Sequence, residues 1–211
     1  MAILELRQYT LHPGRRDELV ALFEREFVEP QEELGARVVG TFHDLADPDR
    51  FVWVREFADM GARLAALRGF YGGPVWKEHR DAANATMVDS DDVLLLEPVG
   101  PGFPAASRAV VGKGRPERSR VLAVVRLGSG GEPDAAAAER LLGAPVVVAR
   151  TAPYVNDFPA LPVRDEKAVV VFAAFPGAEE ASVARRTVER AWPGEHLQVL
   201  ELEPTARSAY R

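Results

Sequence analysis

Polar and aromatic side chains alternate with aliphatic ones in three short segments of the first half of this 211-residue chain. A period of two is typical of β-strands, so residues 2–11, 36–45 and 51–57 are predicted to be strands. One face of these strands, here called the aliphatic face, carries Leu4, Leu6, Gly40, Phe42, Val52 and Val54. The opposite face, here called the polar face, carries Glu5, Arg7, Tyr9, Val39, Thr41, His43, Phe51, Trp53 and Arg55.

The polar face combines residue types that suit a small acidic or phenolic ligand. Arg7 and Arg55 carry permanent positive charge and can orient an anionic oxygen. Trp53 offers a flat surface for stacking, and Tyr9 can donate a hydrogen bond. A buried charge is costly unless it is paired or used, so this combination predicts a binding pocket. The alternative is that Glu5 pairs with an arginine and the face lines a wet interface.

His43 is the candidate for proton transfer, because an unperturbed histidine titrates near neutral pH. The competing interpretation is an exposed histidine at the end of a strand. Farther along, Trp76, His79 and Arg80 share one face of a predicted helix, which makes Trp76 a further candidate for ligand binding. Here the alternative is that Trp76 packs in the core and His79 is its exposed neighbour.

Neither a metal site nor a catalytic nucleophile is indicated. Cysteine is absent, which excludes disulfides, thiolate metal sites and thiol nucleophiles. The sequence contains no HExxH motif or closely spaced histidine pair, so we expect no metal. No serine lies in a nucleophile elbow, which argues against a Ser-His-Asp hydrolase.

The elements that must position these residues repeat one plan twice. In the first copy, helices follow Gly14 and Asp59, Pro30 is expected to end or kink the first helix, and residues 93–97 form the fourth strand. The second copy has predicted strands at 121–127, 146–149, 168–175 and 197–202 and helices at 133–142 and 178–192. The sequence therefore predicts an α+β protein with tandem ferredoxin-like βαββαβ units. We expect domains at 1–98 and 119–211, joined by a Pro/Gly-rich linker at 99–118.

Each antiparallel sheet of this plan leaves one face uncovered by its helices. The expected solution is face-to-face pairing of two sheets into an α+β barrel, within this chain or between subunits of a homo-oligomer. We expect the aliphatic face to lie against the helices and the polar face to line the barrel interior. The predicted loop at 151–167 is long enough to act as a lid, or it is an inert excursion.

Composition and charge exclude several classes of partner. The net charge is −6, whereas proteins that bind nucleic acid usually carry a positively charged surface, so no nucleic-acid partner is expected. No apolar run approaches the roughly 20 residues that a membrane span needs. The first residues lack the basic start of a signal peptide, so a cytoplasmic location is expected. Abundant Ala, Arg, Val and Gly suggest a GC-rich bacterial source.

The segment Glu5-Leu6-Arg7-Gln8-Tyr9-Thr10-Leu11-His12-Pro13-Gly14 resembles the opening of the NIPSNAP family, a branch of the dimeric α+β barrel superfamily. Later positions agree in order: Phe27, Pro30, Gly35, the segments 39–42 and 52–57, Arg63 and Trp76. The resemblance covers roughly residues 2–98. Residues 47–49, Asp-Pro-Asp, depart from the Gly and Asn that are more typical there.

The resemblance implies a fold and a pocket but no single reaction. Relatives include cofactor-independent monooxygenases, haem-degrading enzymes and small-molecule isomerases. The expected function is binding of an aromatic or anionic metabolite, with cofactor-independent oxygenation, isomerisation or cyclisation in secondary metabolism as the catalytic version. The alternative is a non-catalytic ligand-binding or protein-interaction module. No cofactor is expected; the alternative is haem held by His43 or His79, because relatives use a single histidine.

Overall fold

The computed structural model describes residues 1–115, 118–128, 133–194 and 196–211. Within these residues the strands are β1 (Ile3–Leu11), β2 (Arg37–Asp44), β3 (Arg50–Phe57), β4 (Met87–Val99), β5 (Arg120–Leu127), β6 (Val146–Thr151), β7 (Ala168–Phe175) and β8 (Leu197–Pro204). The helices are α1 (Arg16–Leu22), α2 (Val28–Glu33), α3 (Met60–Gly72), α4 (Pro74–Asn84), α5 (Ala135–Leu142) and α6 (Ala178–Ala191). This order confirms the predicted α+β fold class.

A π-helical turn, Phe23–Phe27, joins α1 to α2 without a break. The helical stretch ends at Glu33, three residues after Pro30, so Pro30 lies in its last turn, close to the predicted end. Proline is tolerated in the first turn of a helix because that turn needs no N–H donor from it. Pro30 is the third residue of α2, directly after the π turn, where the usual i→i−4 pattern is already interrupted.

The strands form a closed antiparallel barrel in the order β1-β3-β2-β8-β5-β7-β6-β4, and β4 returns to β1. Pairing of β2 with β8 and of β4 with β6 joins the two halves of the chain. The barrel therefore closes within one chain, and closure removes the free sheet edges that would otherwise invite pairing with other molecules.

Aliphatic side chains from both halves fill the barrel. The interior contains Leu4, Leu6, Phe42, Val52, Val54, Leu94 and Leu96 from the first half, and Val121, Ala123, Val125, Val170, Phe172, Leu200 and Leu202 from the second. The expectation that the aliphatic face packs against the helices, with the polar face inside the barrel, is therefore wrong: the two faces are exchanged. Alternation fixes which residues share a face, but which partner covers that face depends on how the sheets pack.

A β-bulge in β2 corrects one further assignment. The register between β2 and β3 shifts between Val38 and Gly40, so Val39 points into the barrel while Thr41 stays on the polar face. A side chain at Gly40 would overlap the ring of Phe42, which explains why only glycine fits at this position.

The second sheet lacks the charges of the polar face. Leu4 pairs with Leu96 as Val121 pairs with Leu202, which places Leu122 at the position equivalent to Glu5. By the same register, Arg7, Trp53 and Arg55 correspond to Val124, Val171 and Ala173. These side chains pack with α5 and α6 in an apolar cluster. A fully buried cluster of charges like that of the first half is therefore absent at these four positions of the second sheet.

A fragment that ends at Gly100 should not remain a soluble monomer. It would expose the aliphatic face that the second half covers, and large exposed apolar patches drive association. We expect dimers or aggregates by size-exclusion chromatography with light scattering. A stable, monodisperse monomer of residues 1–100 would contradict the account of barrel closure.

Candidate ligand-binding site

A fully buried carboxylate lies among three arginines between the first sheet and its helices. Glu5 Oε2 accepts hydrogen bonds from Arg7 Nη1 at 2.7 Å and from Arg55 Nε at 2.8 Å. Glu5 Oε1 accepts one from Arg63 Nε, on α3, at 2.7 Å. All four side chains are buried, and we refer to them as the arginine cluster. Arg55 Nη1 also donates to Gln31 Oε1 at 2.9 Å, which ties the cluster to α2.

The arginine cluster carries excess positive charge. Burial by itself raises the pKa of Glu5, but attraction to Arg55, Arg7 and Arg63 outweighs this effect and holds the pKa far below its usual range. A second carboxylate, Asp157, contacts Arg63 Nη1 at 2.5 Å. Three guanidinium groups therefore face two carboxylates, and one unit of positive charge stays uncompensated within this group.

Aromatic rings separate the arginine cluster from the space beneath the helices. The guanidinium carbon of Arg55 lies 5.0 Å from the ring centroid of Trp53, and that of Arg7 lies 5.6 Å from it. Arg7 Nε donates to the Tyr9 hydroxyl oxygen at 3.0 Å. Burial raises the pKa of Tyr9, so the phenol stays neutral at physiological pH and keeps its proton available for donation.

Two adjoining cavities lie on the far side of these rings. The inner cavity, of about 30 Å³, is lined by Tyr9, Leu19, Phe23, Phe27, Gln31, Trp53, Phe70, Tyr71, Trp76, Ala83 and Met87. The outer cavity, of about 330 Å³, is lined by Tyr9, Tyr71, Trp76, Asn84, Met87, Ser90, Phe158, Ala160 and Leu161. The outer cavity is large enough for an aromatic ring, whereas the inner one holds a group the size of a water molecule.

The inner cavity offers hydrogen-bond donors. Trp53 Nε1 is buried and has no hydrogen-bond partner among the described residues. Gln31 also lines this cavity, but its amide is already used, since Nε2 donates to the Phe27 carbonyl at 3.0 Å and Oε1 accepts from Arg55. Buried donors are almost always satisfied in proteins. The unpaired indole N–H therefore favours an acceptor oxygen at this position.

The structure brings together most of the residues predicted from the sequence. Tyr9, Trp53 and Trp76 line the cavities. Arg7 and Arg55 lie behind them, in the arginine cluster, and line neither cavity.

His43 is separated from this group. It lies on β2 beside the start of α1, with Nε2 at 4.0 Å from Asp17 and Nδ1 at 3.9 Å from Glu203, and it lines neither cavity. Burial, and then the nearby charge of Arg16, lowers the pKa of His43. His43 shares the polar face as expected, but it is two strands away from Tyr9 in the same row of the sheet, with Phe51 of β3 between them.

Several residues of the site were not predicted as such. The sequence indicates Arg63 only through its agreement with the NIPSNAP family, whereas in the structure it completes the arginine cluster. Phe23 and Phe27 meet at a centroid distance of 6.0 Å, and both line the inner cavity, since residues four apart share one side of a helical stretch. The sequence signal available for them was aromatic content at helical spacing, which is equally typical of an ordinary core.

The haem alternative receives no support from the site geometry. His79 Nε2 lies 3.5 Å from Glu26 Oε2, and neither His79 nor His43 lines the two cavities.

Among the described residues, no group of three or more acidic or histidine side chains could hold a metal ion. No helix in the described part of the chain is long and apolar enough to cross a membrane.

Larger clefts exist elsewhere on the surface. One of about 440 Å³ lies beside Trp192, and one of about 780 Å³ lies between α5 and α6. None of their lining residues belongs to the described buried side chains that lack a hydrogen-bond partner. The smaller cavities beside Trp53 are therefore the better candidates for a specific site.

Comparisons with known proteins agree with this architecture. A sequence model of the NIPSNAP family matches residues 4–100. An uncharacterized NIPSNAP-like domain protein from Burkholderia xenovorans is 26% identical over 49% of this chain and 91% of its own, with a TM-score of 0.44.

Two other solved structures share the fold over nearly the whole chain. A proposed monooxygenase from Lactobacillus acidophilus is 12% identical, covering 99% of this chain and 96% of its own, with a TM-score of 0.56. A proposed monooxygenase from Fusobacterium nucleatum is 9% identical, covering 98% and 93%, with a TM-score of 0.61. No curated protein matches the chain.

Replacing Glu5 with Gln should destabilise the protein strongly. The change leaves three buried guanidinium groups without their central carboxylate, and breaking a buried ion pair in this way costs about 3–5 kcal/mol. The free energy of unfolding, measured by urea denaturation, should fall by this amount. Glu180→Gln, at an exposed position on α6, is the matched control and should change little.

The Glu5→Gln variant should also differ from the unmodified protein in how its stability changes with acid pH. Because the pKa of Glu5 is depressed in the folded protein, its contribution is complete above the ordinary value of 4.5 and is lost progressively as pH falls below it. Unfolding measured between neutral pH and strongly acidic pH should show a shallower loss of stability in Glu5→Gln than in the unmodified protein. Equal slopes would show that Glu5 is not held by the arginines.

Proposed function

Because residues 4–100 form a NIPSNAP domain, we propose that this chain binds a small aromatic or anionic organic molecule between the first sheet and its helices. The ring of the ligand lies in the outer cavity, against Tyr71 and Trp76. Its oxygen reaches into the inner cavity, toward Trp53 and Tyr9. This arrangement matches the dimensions of the two cavities and the chemistry of their walls.

The observation that carries the proposal is the unpaired indole N–H of Trp53 beside a buried cavity. A phenolate, enolate or carbonyl oxygen accepts from this N–H and from the neutral Tyr9 hydroxyl. The positive charge of Arg7 and Arg55, about 5 Å behind the indole ring, favours an ionised oxygen over a neutral one. Once the ligand's ring fills the outer cavity and keeps water from the oxygen, this preference is stronger than it would be in solution.

The catalytic version of the proposal is a cofactor-independent oxygenation, isomerisation or cyclisation. In this version the protein stabilises the ionised ligand through Trp53, Tyr9 and the arginine cluster. It also excludes water through the aromatic walls. His43 has no part in it, since its side chain lines neither cavity.

A non-catalytic ligand-binding or protein-interaction module is the second candidate. It is favoured by the absence of any Asp, Glu or His among the described residues that line the two cavities. Without a carboxylate or an imidazole in the cavity walls, a reaction depends more on the ligand's own ionisation.

Binding of 1-naphthol tests the proposed site. Isothermal titration calorimetry should detect 1-naphthol binding, tighter at pH values where the naphthol ionises, and weaker binding of naphthalene. Tyr9→Phe should weaken naphthol binding about tenfold, because it removes one donor to a charged oxygen. His43→Gln is the control and should leave the affinity unchanged. Equal affinity for naphthol and naphthalene would contradict the role of the donors.

Turnover separates the two candidate functions. For a catalytic protein, incubation of 1-naphthol with the chain should give oxygen uptake or a new product by liquid chromatography and mass spectrometry. Tyr9→Phe should reduce kcat/KM by about tenfold or more, while His43→Gln should leave it unchanged. Saturable binding without oxygen uptake or product would favour the non-catalytic module. A selective effect of His43→Gln on turnover would show that the cavities identified here are not the reaction site.

A further inference from the structure

The connection between β6 and β7 comes from the second half of the chain but packs on the site of the first. Its ends are held by backbone hydrogen bonds: Ala152 N donates to the Leu95 carbonyl at 2.9 Å, and Arg164 N donates to the Val93 carbonyl at 2.8 Å. Arg164 Nη1 also donates to Asp92 Oδ1 at 3.0 Å. These contacts fix the ends of the segment against β4.

Between those ends the chain forms a compact turn. Asn156 Nδ2 donates to the Leu161 carbonyl at 2.8 Å, and its Oδ1 accepts from Phe158 N at 3.2 Å. Leu161 N donates to the Phe158 carbonyl at 3.0 Å. Because the turn is stabilised from within, it can move as a unit about the fixed ends at Ala152 and Arg164. We call residues 153–163 the lid.

Two neighbouring lid residues make an ion pair and an aromatic contact with the first half, while Leu161 and Val163 pack against its apolar core. Asp157 Oδ1 lies 2.5 Å from Arg63 Nη1. The ring of Phe158 stacks on Tyr71, with centroids 6.0 Å apart and planes inclined by 29°. Phe158 thereby forms one wall of the outer cavity. The Asp157-Phe158 pair thus places a carboxylate on a buried arginine and an aromatic ring on a tyrosine of the proposed site.

Arg63 has the properties of an anion subsite. Its side chain is fully buried, while that of Asp157 is 28% exposed, so the acid approaches the arginine from the solvent side. Arg63 Nη2 is buried and has no hydrogen-bond partner among the described residues. The uncompensated positive charge of the arginine cluster adds to the attraction for an anion.

We propose that Arg63 is a carboxylate subsite that Asp157 occupies when the lid is closed, and that an aromatic carboxylate displaces both Asp157 and Phe158 and opens the lid. This inference rests on the proposed function and deepens it, because it assigns the ligand a carboxylate in addition to a ring. The Asp157-Phe158 pair resembles such a ligand chemically: ring on Tyr71, carboxylate on Arg63. Binding therefore replaces the contacts of Phe158 and Asp157 with equivalent contacts of the ligand. The affinity for the ligand depends on how strongly the closed lid holds its own contacts.

The experiment compares 3-phenylpropionate with its neutral amide, 3-phenylpropanamide. Asp157→Asn removes the competing charge, so the propionate should bind about tenfold more tightly or better, since the subsite is no longer occupied from within. Affinity for the amide should change far less. Asp165→Asn is the matched control, because Asp165 is exposed in the same connection and carries the same charge. Isothermal titration calorimetry at constant ionic strength measures the dissociation constants of both ligands for the unmodified protein and for the two variants.

Hydrogen exchange on the unmodified protein gives a test that does not depend on any variant. Saturating 3-phenylpropionate should increase deuterium uptake in residues 153–163, whereas sodium chloride of equal ionic strength should not. Unchanged or reduced uptake would overturn the proposal. So would a propionate affinity in Asp157→Asn no higher than in Asp165→Asn. Failure of 1-naphthol to bind would overturn the proposed function itself. If 1-naphthol binds but Asp157→Asn does not bind 3-phenylpropionate more tightly, the carboxylate subsite is rejected and the proposed function stands.

Discussion

The pairing of Glu5 with Arg7, Arg55 and Arg63 is the interaction on which the rest of the first half depends. Three arginines can lie beneath a helix layer only if a carboxylate compensates part of their charge. This carboxylate links two strands to α3, and Gln31 extends the network to α2. The rings of Trp53 and Tyr9 then lie between these charges and the inner cavity, whose walls are mostly aromatic and aliphatic.

The closed barrel makes this arrangement possible. Aliphatic side chains of both sheets share one interior, which supplies a large apolar core and leaves the outer face of the first sheet free to carry charge. At the equivalent outer positions the second sheet has Leu122, Val124, Val171 and Ala173. The buried arginine cluster therefore belongs to the first half, and residues of the second half line part of the outer cavity beside it.

The connection between β6 and β7 joins the two halves of the chain at the outer cavity. Asp157 and Phe158 come from the second half, yet they contact Arg63 and Tyr71 of the first. Phe158 also forms part of the wall of the outer cavity. The sequence neighbours of both residues at the fixed ends pair with β4, so the lid is attached to the same strand that closes the barrel against β1.

Local patterns were enough to predict the element order, the resemblance of residues 4–100 to the NIPSNAP family and most residues of the polar face, because strand periodicity and the opening motif are local properties. The position of this face beneath the helices depends on how the sheets pack, since alternation is symmetric with respect to the two sides of a sheet. The tertiary structure also decided that Val39 leaves the face at a bulge and that His43 lies away from the cavities. Arg63 and Asp157 are 94 residues apart in sequence, and their contact depends on the closure of the barrel, which no local pattern encodes.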